Sequence, residues 1–528
     1  MPTFEVKKTD LAARIGILKT RRGKIETPAV LPVIHPFNQT IKPKEMAKMG
    51  FGALMTNSYL ILKRNRKSGE RYEVHELLDF DKPIMTDSGA YQLLEYGEVE
   101  TTPEEIVEFQ KSIGTDIGVI LDTPTGFTKN RRRAEETVKK TFEAAERSKP
   151  LLDRDGILWT GPIQGGTFYD LVEESAAIMS KIDFDIFALG SPTQVMEQYN
   201  FEHLVKMILA AKRNIPLDRP LHLFGAGHPL TLPIAVSLGC DLFDSASYIL
   251  YAKRGAYMTE HGTHHLDDLR YLPCECSVCS NYTANEIRES GDMIRLLATH
   301  NLHILSKEVK GIKQAISDGR LWEYVAAKSR SHPKTWAAFK TFKDLTEYFE
   351  QGTPIFKSHG LYLCSTPDQY RPESRRSFDR IIENVNIEKE TIVVHLSATN
   401  DHSFLYSLRA ATERRIGERI DEIQFCAGIF PIGVVPIELC DIYPFSQHEI
   451  SLPLDEEMER ESVKRFRRFL SAYDFKKAVL VDHSNGRYEE IVKWFRKSKT
   501  IPEKRIVHDR RTEKIVDEIE GLVTSSNG

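Results

Sequence analysis

The chain has 528 residues, of which 41% are hydrophobic and 28% are charged, and its formal net charge is -4 at pH 7. This length allows two to four domains with a large buried core, as in ordinary soluble globular proteins. The charge gives no global reason to expect a nucleic-acid partner, so that hypothesis must rest on local patches. The sequence has no apolar run of eighteen residues and no signal-peptide core at its start, which predicts a cytoplasmic protein.

Short β-rich runs recur through the first half of the chain, and each is followed by a longer amphipathic stretch. The eight runs are Ala29–Ile34, Ala53–Thr56, Pro83–Thr86, Ile117–Leu121, Leu158–Ile163, Asp185–Leu189, Leu221–Phe224 and Asp241–Phe243. Strands that alternate with helices at this spacing predict parallel βα units, and eight such units close a (β/α)8 TIM barrel. A doubly wound open sheet is the alternative.

Small and polar residues stand directly after these predicted strands. The strand ends carry Asp87-Ser88-Gly89, Asp122-Thr123-Pro124, Gln164-Gly165-Gly166, Gly190-Ser191-Pro192, Gly225-Ala226-Gly227 and Asp244-Ser245. The carboxyl ends of barrel strands form the active site in this fold, so we expect these residues to meet in one pocket.

Three of the strand ends carry an aspartate, namely Asp87, Asp122 and Asp244. Burial and mutual repulsion separate the pKa values of such carboxyl groups, which allows one nucleophile, one acid/base and one ligand anchor. Paired carboxylates on either side of a sugar carbon can work by double displacement, with a sugar or a nucleobase as the leaving group. Taken singly, an aspartate after a strand is more often a cap or a turn former.

A cysteine cluster follows the eighth predicted strand. Cys274, Cys276 and Cys279 lie within six residues and are followed by His300, so that three thiolates and one imidazole give the ligand set of a closed, structural zinc site. His303 is the alternative fourth ligand, but His300 lies nearer the middle of the apolar face of the predicted helix. Reduced cysteines in a loop, without a metal, are the simpler interpretation.

The pattern changes after about Trp336. We predict a catalytic barrel domain over 1–336, with a zinc-binding subdomain at about 270–320, and a small α/β domain over 337–430. A second small α+β domain is predicted over 431–528, because residues 430–436 are rich in proline and glycine.

Four motifs together resemble the tRNA-guanine transglycosylases. They are Met85-Thr-Asp-Ser-Gly-Ala-Tyr-Gln92, Pro162-Ile-Gln-Gly-Gly166, Phe243-Asp-Ser245 and the cysteine cluster with Thr299-His-Asn-Leu302. The resemblance covers roughly residues 5 to 330, with all motifs in order. The length and the extra C-terminal units resemble the archaeal branch, which replaces a D-loop guanine at tRNA position 15 with 7-cyano-7-deazaguanine (preQ0), the precursor of archaeosine.

The resemblance implies roles for the three aspartates. Asp244 would be the nucleophile on ribose C1′, forming a covalent tRNA intermediate, and Asp87 would be the general acid/base. Asp122 would accept hydrogen bonds from N1–H and the exocyclic amine of the base.

The resemblance also assigns four further residues to the base pocket. Gln164 and the backbone N–H of Gly190 would donate to O6 of the base. Ser88 and Tyr91 would line the slot, and Tyr91 would offer an aromatic face for stacking.

A base inside a folded tRNA must be extruded to reach such a slot, and phosphate contacts must offset that cost. Two basic patches lie near the implied site: Lys253 with Arg254, and Arg131, Arg132 and Arg133. Each patch taken alone is more often a solvated surface. The resemblance further implies a homodimer that contacts through the zinc region.

One departure from the branch concerns its small C-terminal RNA-binding barrel, which this chain does not show before it ends in Thr524-Ser-Ser-Asn-Gly528. This raises the hypothesis of a separate RNA-binding subunit that acts in trans. Two other functions are alternatives: a non-catalytic tRNA-binding subunit on the same barrel, and a metal-dependent barrel hydrolase. The hydrolase would need histidine ligands at strand ends, where only His35 and His228 are near.

Overall fold

The computed structural model describes residues 3–90, 100–152, 156–397, 399 and 401–524. The chain divides into two compact units, Met1–Thr341 and Phe342–Gly528. None of the helices in these described ranges is both long enough and apolar enough to span a bilayer.

Unit 1 begins with a three-stranded antiparallel sheet of β1 (Phe4–Asp10), β2 (Ala13–Thr20) and β3 (Gly23–Thr27). Eight parallel strands follow: β4 (Ala29–Ile34), β5 (Leu54–Asn57), β6 (Ile84–Asp87), β7 (Ile117–Val119), β8 (Leu158–Ile163), β9 (Ile186–Leu189), β10 (Leu221–Leu223) and β11 (Leu242–Ser245). They form a closed barrel in chain order, in which β11 pairs with β4. This confirms the predicted (β/α)8 barrel, and every predicted strand lies within two residues of its observed ends.

The helices of unit 1 alternate with the barrel strands and then continue beyond them. They are Pro43–Lys48, Ser58–Ser68, Val74–Leu78, Pro103–Ser112, Arg131–Ser148, Tyr169–Met179, Thr193–Glu197, Phe201–Lys212, Leu232–Ser237, Ser247–Lys253, Ala284–Glu289, Met293–Asp318, Leu321–Ser329 and Pro333–Lys340. A hairpin of β12 (Ala256–Thr259) and β13 (Gly262–His265) lies between the barrel and the cysteine cluster. Short 3-10 helices occur in both units, at Lys149–Leu151, Leu266–Asp268, Thr341–Leu345, Thr366–Tyr370, Gly417–Glu422 and Ile437–Leu439.

The helix Arg131–Ser148 shows why these segments fold as they do. Its buried side chains, which include Ala134, Val138 and Ala145, recur at helical spacing and leave the charged residues on the outer face. Asn130 caps the helix, because its side-chain oxygen accepts a hydrogen bond from the backbone N–H of Arg133 at 3.2 Å. The cap therefore fixes the point from which the three arginines project.

Unit 2 is an α/β structure built on a five-stranded sheet in the order β17-β16-β15-β19-β20. Its strands are β14 (Leu361–Leu363), β15 (Thr391–Ser397), β16 (Ile423–Ile429), β17 (Gly433–Pro436), β18 (His448–Ile450), β19 (Lys477–His483) and β20 (Glu503–Val507), of which β14 and β18 form a separate parallel pair. Its helices are Thr346–Glu350, Pro372–Asn384, Ser403–Ile416, Glu456–Ala472, Glu489–Lys497 and Thr512–Thr524.

The predicted domain boundary near residue 430 is wrong. β16 and β17 flank that point and pair antiparallel, with Ile429 opposite Gly433. The segment rich in proline and glycine is therefore a tight hairpin turn inside one sheet and does not link two domains. Residues of both predicted small domains belong to the single unit that starts at Phe342, close to the predicted end of the barrel domain.

Candidate active site and metal centre

The residues predicted for catalysis lie at one end of the barrel. Asp87 is the last residue of β6, Asp244 is the third residue of β11, and Asp122 follows β7. Gln164 and Gly190 directly follow β8 and β9. Because the strands are parallel, their carboxyl ends share one rim, and this rim collects the five residues in one site.

Asp87 is held by two donors and lies in a strongly desolvated position. The side-chain amide of Asn57 and the backbone N–H of Gly89 each donate to its Oδ1 at 2.7 Å. Burial raises the pKa of Asp87 to about 7, and the negative charges of Asp244 and Asp122 add to the rise. A carboxyl group with this pKa can both donate and accept a proton near neutral pH.

Asp122 and Gln164 form a fixed pair at the same rim of the barrel. The side-chain amide of Gln164 donates to Asp122 Oδ2 at 2.6 Å, while its Oε1 accepts from Thr125 N–H and from the Ser191 hydroxyl, both at 3.0 Å. These partners decide which end of the amide carries the N–H groups. Burial raises the pKa of Asp122 to about 6, against the effect of the hydrogen bond from Gln164.

Gly190 has a different contact from the one expected. Its N–H donates to the carbonyl oxygen of Ile163 at 2.9 Å, so a bound base would compete with that carbonyl for the proton. The glycine leaves room for Gln164, because a Cβ at position 190 would lie 2.3 Å from the Gln164 amide nitrogen. Ser88 is buried next to Asp87. Tyr91 lies outside the described residues.

Asp244 accepts two hydrogen bonds, and both reach the same oxygen. His222 Nε2 lies 2.9 Å from Oδ1, and the backbone N–H of Gly225 donates to Oδ1 at 3.0 Å. No hydrogen bond from the described part of the chain reaches Oδ2. His222 was not among the residues predicted for the site, and the signal that could have indicated it is a histidine inside an otherwise apolar strand, β10.

The predicted basic residues are exposed near the same rim. Lys253 ends the helix Ser247–Lys253 and Arg254 follows it. Arg131, Arg132 and Arg133 open the helix that follows β7. Arg131 differs from its neighbours, since its guanidinium pairs with Glu135 at 2.9 Å and with Asp170 at 2.5 Å.

The cysteine cluster forms a compact group of four ligand atoms. The sulfurs of Cys274, Cys276 and Cys279 and one imidazole nitrogen of His300 all lie within 4.8 Å of one another. The two sulfurs of Cys276 and Cys279 are 3.6 Å apart, and His300 Nδ1 is 3.5 Å and 3.3 Å from them. A tetrahedral zinc site with zinc–sulfur bonds near 2.3 Å has ligand–ligand distances of about 3.8 Å, so the four residues fit a metal ion.

Neighbouring groups orient the imidazole of His300. Its Nε2 donates to the carbonyl oxygen of Met258 at 2.8 Å, which leaves the Nδ1 lone pair directed at the thiols. The ring of Tyr257 stacks on it at 3.7 Å between centroids. His303, the alternative ligand, is not part of the group.

The sequence of this chain matches a known protein family. The model of the queuine tRNA-ribosyltransferase family matches residues 9–334, which include the whole barrel and the cysteine cluster. The chain belongs to this family. The matched region includes the three aspartates Asp87, Asp122 and Asp244 and the four residues of the cysteine cluster and His300.

Several curated relatives of this chain carry the name tRNA-guanine(15) transglycosylase. That of Aeropyrum pernix is 46% identical over 456 residues, which cover 84% of this chain and 87% of that protein. The protein of Saccharolobus solfataricus is 39% identical over 91% of this chain and 97% of its own length. The protein of Sulfolobus acidocaldarius is 36% identical over 90% of this chain and 95% of its own length. The similarity therefore extends beyond the barrel into unit 2.

Proposed function

We propose that this chain is a tRNA-guanine(15) transglycosylase, a pentosyltransferase that exchanges guanine for 7-cyano-7-deazaguanine in archaeosine biosynthesis. The observation that carries the proposal is the meeting of Asp87, Asp122 and Asp244 at one barrel rim, with Oδ2 of Asp244 left without a partner from the described residues. The similarity to relatives of that name over most of the chain supports it.

In the first half of the reaction, Asp244 Oδ2 attacks ribose C1′ of the tRNA nucleotide. The C1′–N9 bond breaks, its electron pair goes to the purine, and protonated Asp87 supplies the proton that the departing guanine needs. The raised pKa of Asp87, about 7, keeps a large protonated fraction available near neutral pH.

In the second half, N9 of the incoming deazapurine attacks C1′ and Asp87 takes up its proton. The bond between Asp244 and C1′ breaks, and the carboxylate is restored. Two displacements at one carbon retain its configuration, as in retaining glycosidases.

The fixed pair of Asp122 and Gln164 supports recognition of guanine and its deaza analogue. The carboxylate of Asp122 would accept from N1–H and the exocyclic amine, and the second N–H of the Gln164 amide would donate to O6. Adenine and cytosine do not offer this combination of donors and acceptor, so they would leave buried polar groups unpaired.

The tRNA itself would be held through its phosphates. Exposed Lys253, Arg254, Arg132 and Arg133 are suited to this role, whereas the Arg131 guanidinium must first leave its two carboxylates. We extend the proposal to a homodimer formed through the metal region and to an RNA-binding subunit supplied in trans.

The test is exchange of radiolabelled guanine out of tRNA transcripts by the purified chain, with 7-cyano-7-deazaguanine as the incoming base. We expect loss of label from position 15, and no exchange in a transcript that carries adenine there. If the chain is active only after a cell fraction is added, a partner subunit is required. A chain that stays inert under both conditions would favour the non-catalytic tRNA-binding alternative.

We further propose that the cysteine cluster binds one structural zinc ion. Cys276→Ser is expected to abolish zinc binding, measured by elemental analysis, and to lower the melting temperature by about 10 °C, because a structural metal adds its binding free energy to folding. Exposed Cys364, which lies outside the cluster, offers the control Cys364→Ser. Equal zinc content in the two variants would contradict the assignment.

A further inference from the structure

His222 and Asp244 form a buried contact between the neighbouring strands β10 and β11. We propose that His222 is a positioning residue, which selects Oδ2 of Asp244 as the attacking atom and speeds the departure of this carboxylate in the second half of the exchange. The inference rests on the proposed function.

The choice of oxygen follows from the geometry at Asp244. His222 is fully buried on β10, and its Nε2 and the Gly225 N–H approach the same atom, Oδ1, at 2.9 Å and 3.0 Å. An oxygen that accepts two hydrogen bonds has both lone pairs engaged in the carboxylate plane. Oδ2 therefore keeps the lone pairs that form the bond to C1′.

The protonation of His222 follows from its surroundings. Two bare lone pairs 2.9 Å apart would repel each other, so Nε2 carries the proton and donates to Asp244. The other ring nitrogen, Nδ1, is buried and has no hydrogen-bond partner among the described residues. A proton on Nδ1 would be unpaired in this buried position, so Nε2 is the ring nitrogen that orients the carboxylate.

The two halves of the exchange use this hydrogen bond unequally. When Oδ2 bonds to C1′, Asp244 becomes a neutral ester whose carbonyl oxygen is Oδ1. When the Oδ2–C1′ bond breaks, its electron pair returns to Asp244 and negative charge grows again on the carboxylate. Hydrogen bonds to a charged acceptor are about twice as strong as those to a neutral one, so the His222 proton favours release of the ester.

Two amide variants separate this role from packing. In His222→Gln the amide N–H reaches the place of the imidazole Nε2, whereas in His222→Asn it is one methylene too short. With tRNA and saturating incoming base, we expect His222→Asn to exchange about ten- to a hundred-fold more slowly and to accumulate a denaturant-stable tRNA adduct. We expect His222→Gln to restore the low adduct level of the wild type.

The chain offers a matched control at the opposite end of the barrel. His75 is also buried, with Nε2 3.0 Å from Oδ2 of Asp116, which precedes β7. We expect His75→Asn to lower the melting temperature without raising the adduct level.

Four outcomes would overturn the inference in different ways. If adduct levels in His222→Asn match those of the wild type, or if the Asn and Gln variants behave alike, His222 does not act through Asp244. If His75→Asn also accumulates adduct, loss of stability explains the effect. If the wild-type chain neither exchanges guanine nor forms an adduct, with or without the added cell fraction, the proposed function itself fails.

Discussion

Replacing Asp244 with asparagine is expected to abolish the covalent tRNA adduct and to slow guanine exchange by at least about 10⁴-fold, the scale seen when a catalytic nucleophile is removed. Asparagine has nearly the shape of aspartate, and its amide oxygen can still accept from His222 and Gly225. The atom in place of Oδ2 becomes an NH₂ group, which has no nucleophilic lone pair. The measurement is single-turnover exchange, with the adduct resolved on a denaturing gel.

The tRNA dissociation constant of the same variant provides the control. Because the substitution leaves the basic surface intact, we expect Asp244→Asn to bind tRNA as tightly as the wild type at equal salt concentration. An adduct of undiminished amount in Asp244→Asn would show that another group attacks C1′.

Replacing Asp87 with asparagine is expected to slow both halves of the exchange by about 10²- to 10⁴-fold, because an amide neither gives nor takes the required proton. In the proposed mechanism, guanine departure needs protonated Asp87, so the wild-type rate of adduct formation should fall as pH rises through about 7. The release half needs the ionised form and should show the opposite slope. Rates of the two halves measured between pH 5 and 9 would test this, and Asp87→Asn should lack both slopes.

Replacing Asp87 with asparagine should raise the stability of the fold, although it lowers the activity. The folded-state pKa of Asp87, about 7, lies above the ordinary value of 3.8. The contribution of this carboxyl group to stability is therefore fully present below about pH 4 and is lost as pH rises through 7. Asp87→Asn cannot ionise. We therefore expect its melting temperature to exceed that of the wild type by an amount that grows between pH 5 and 8. A difference in melting temperature that stays constant across this range would show that folding does not raise the pKa of Asp87.

The barrel and the site aspartates could be predicted from sequence because their signals are local. Each barrel strand is a short apolar run, and Asp87, Asp122 and Asp244 stand at or just beyond the ends of such runs. The candidate metal ligands were equally visible, since Cys274, Cys276 and Cys279 follow a recognisable spacing. In these cases the pattern within a few residues carried the information.

What could not be predicted depends on pairing between distant segments. His222 contacts Asp244 because β10 and β11 are neighbours, and nothing within the run Leu221–Leu223 indicates that partner. The Gly190 N–H is engaged by Ile163 through a contact between β8 and β9. The predicted boundary near residue 430 was wrong for a related reason. Hairpin turns and domain linkers are both rich in proline and glycine, so composition alone does not distinguish them.

The close approach between Gly190 and Gln164 has an evolutionary consequence. Any side chain at position 190 would displace the Gln164 amide, which lies 2.3 Å from where its Cβ would stand. A descendant with a larger residue at position 190 must therefore also move or replace the Gln164 side chain, and a single step at position 190 disturbs the hydrogen bond from Gln164 to Asp122. The spacing of two adjacent strands thus couples the residues that evolution can place at positions 164 and 190.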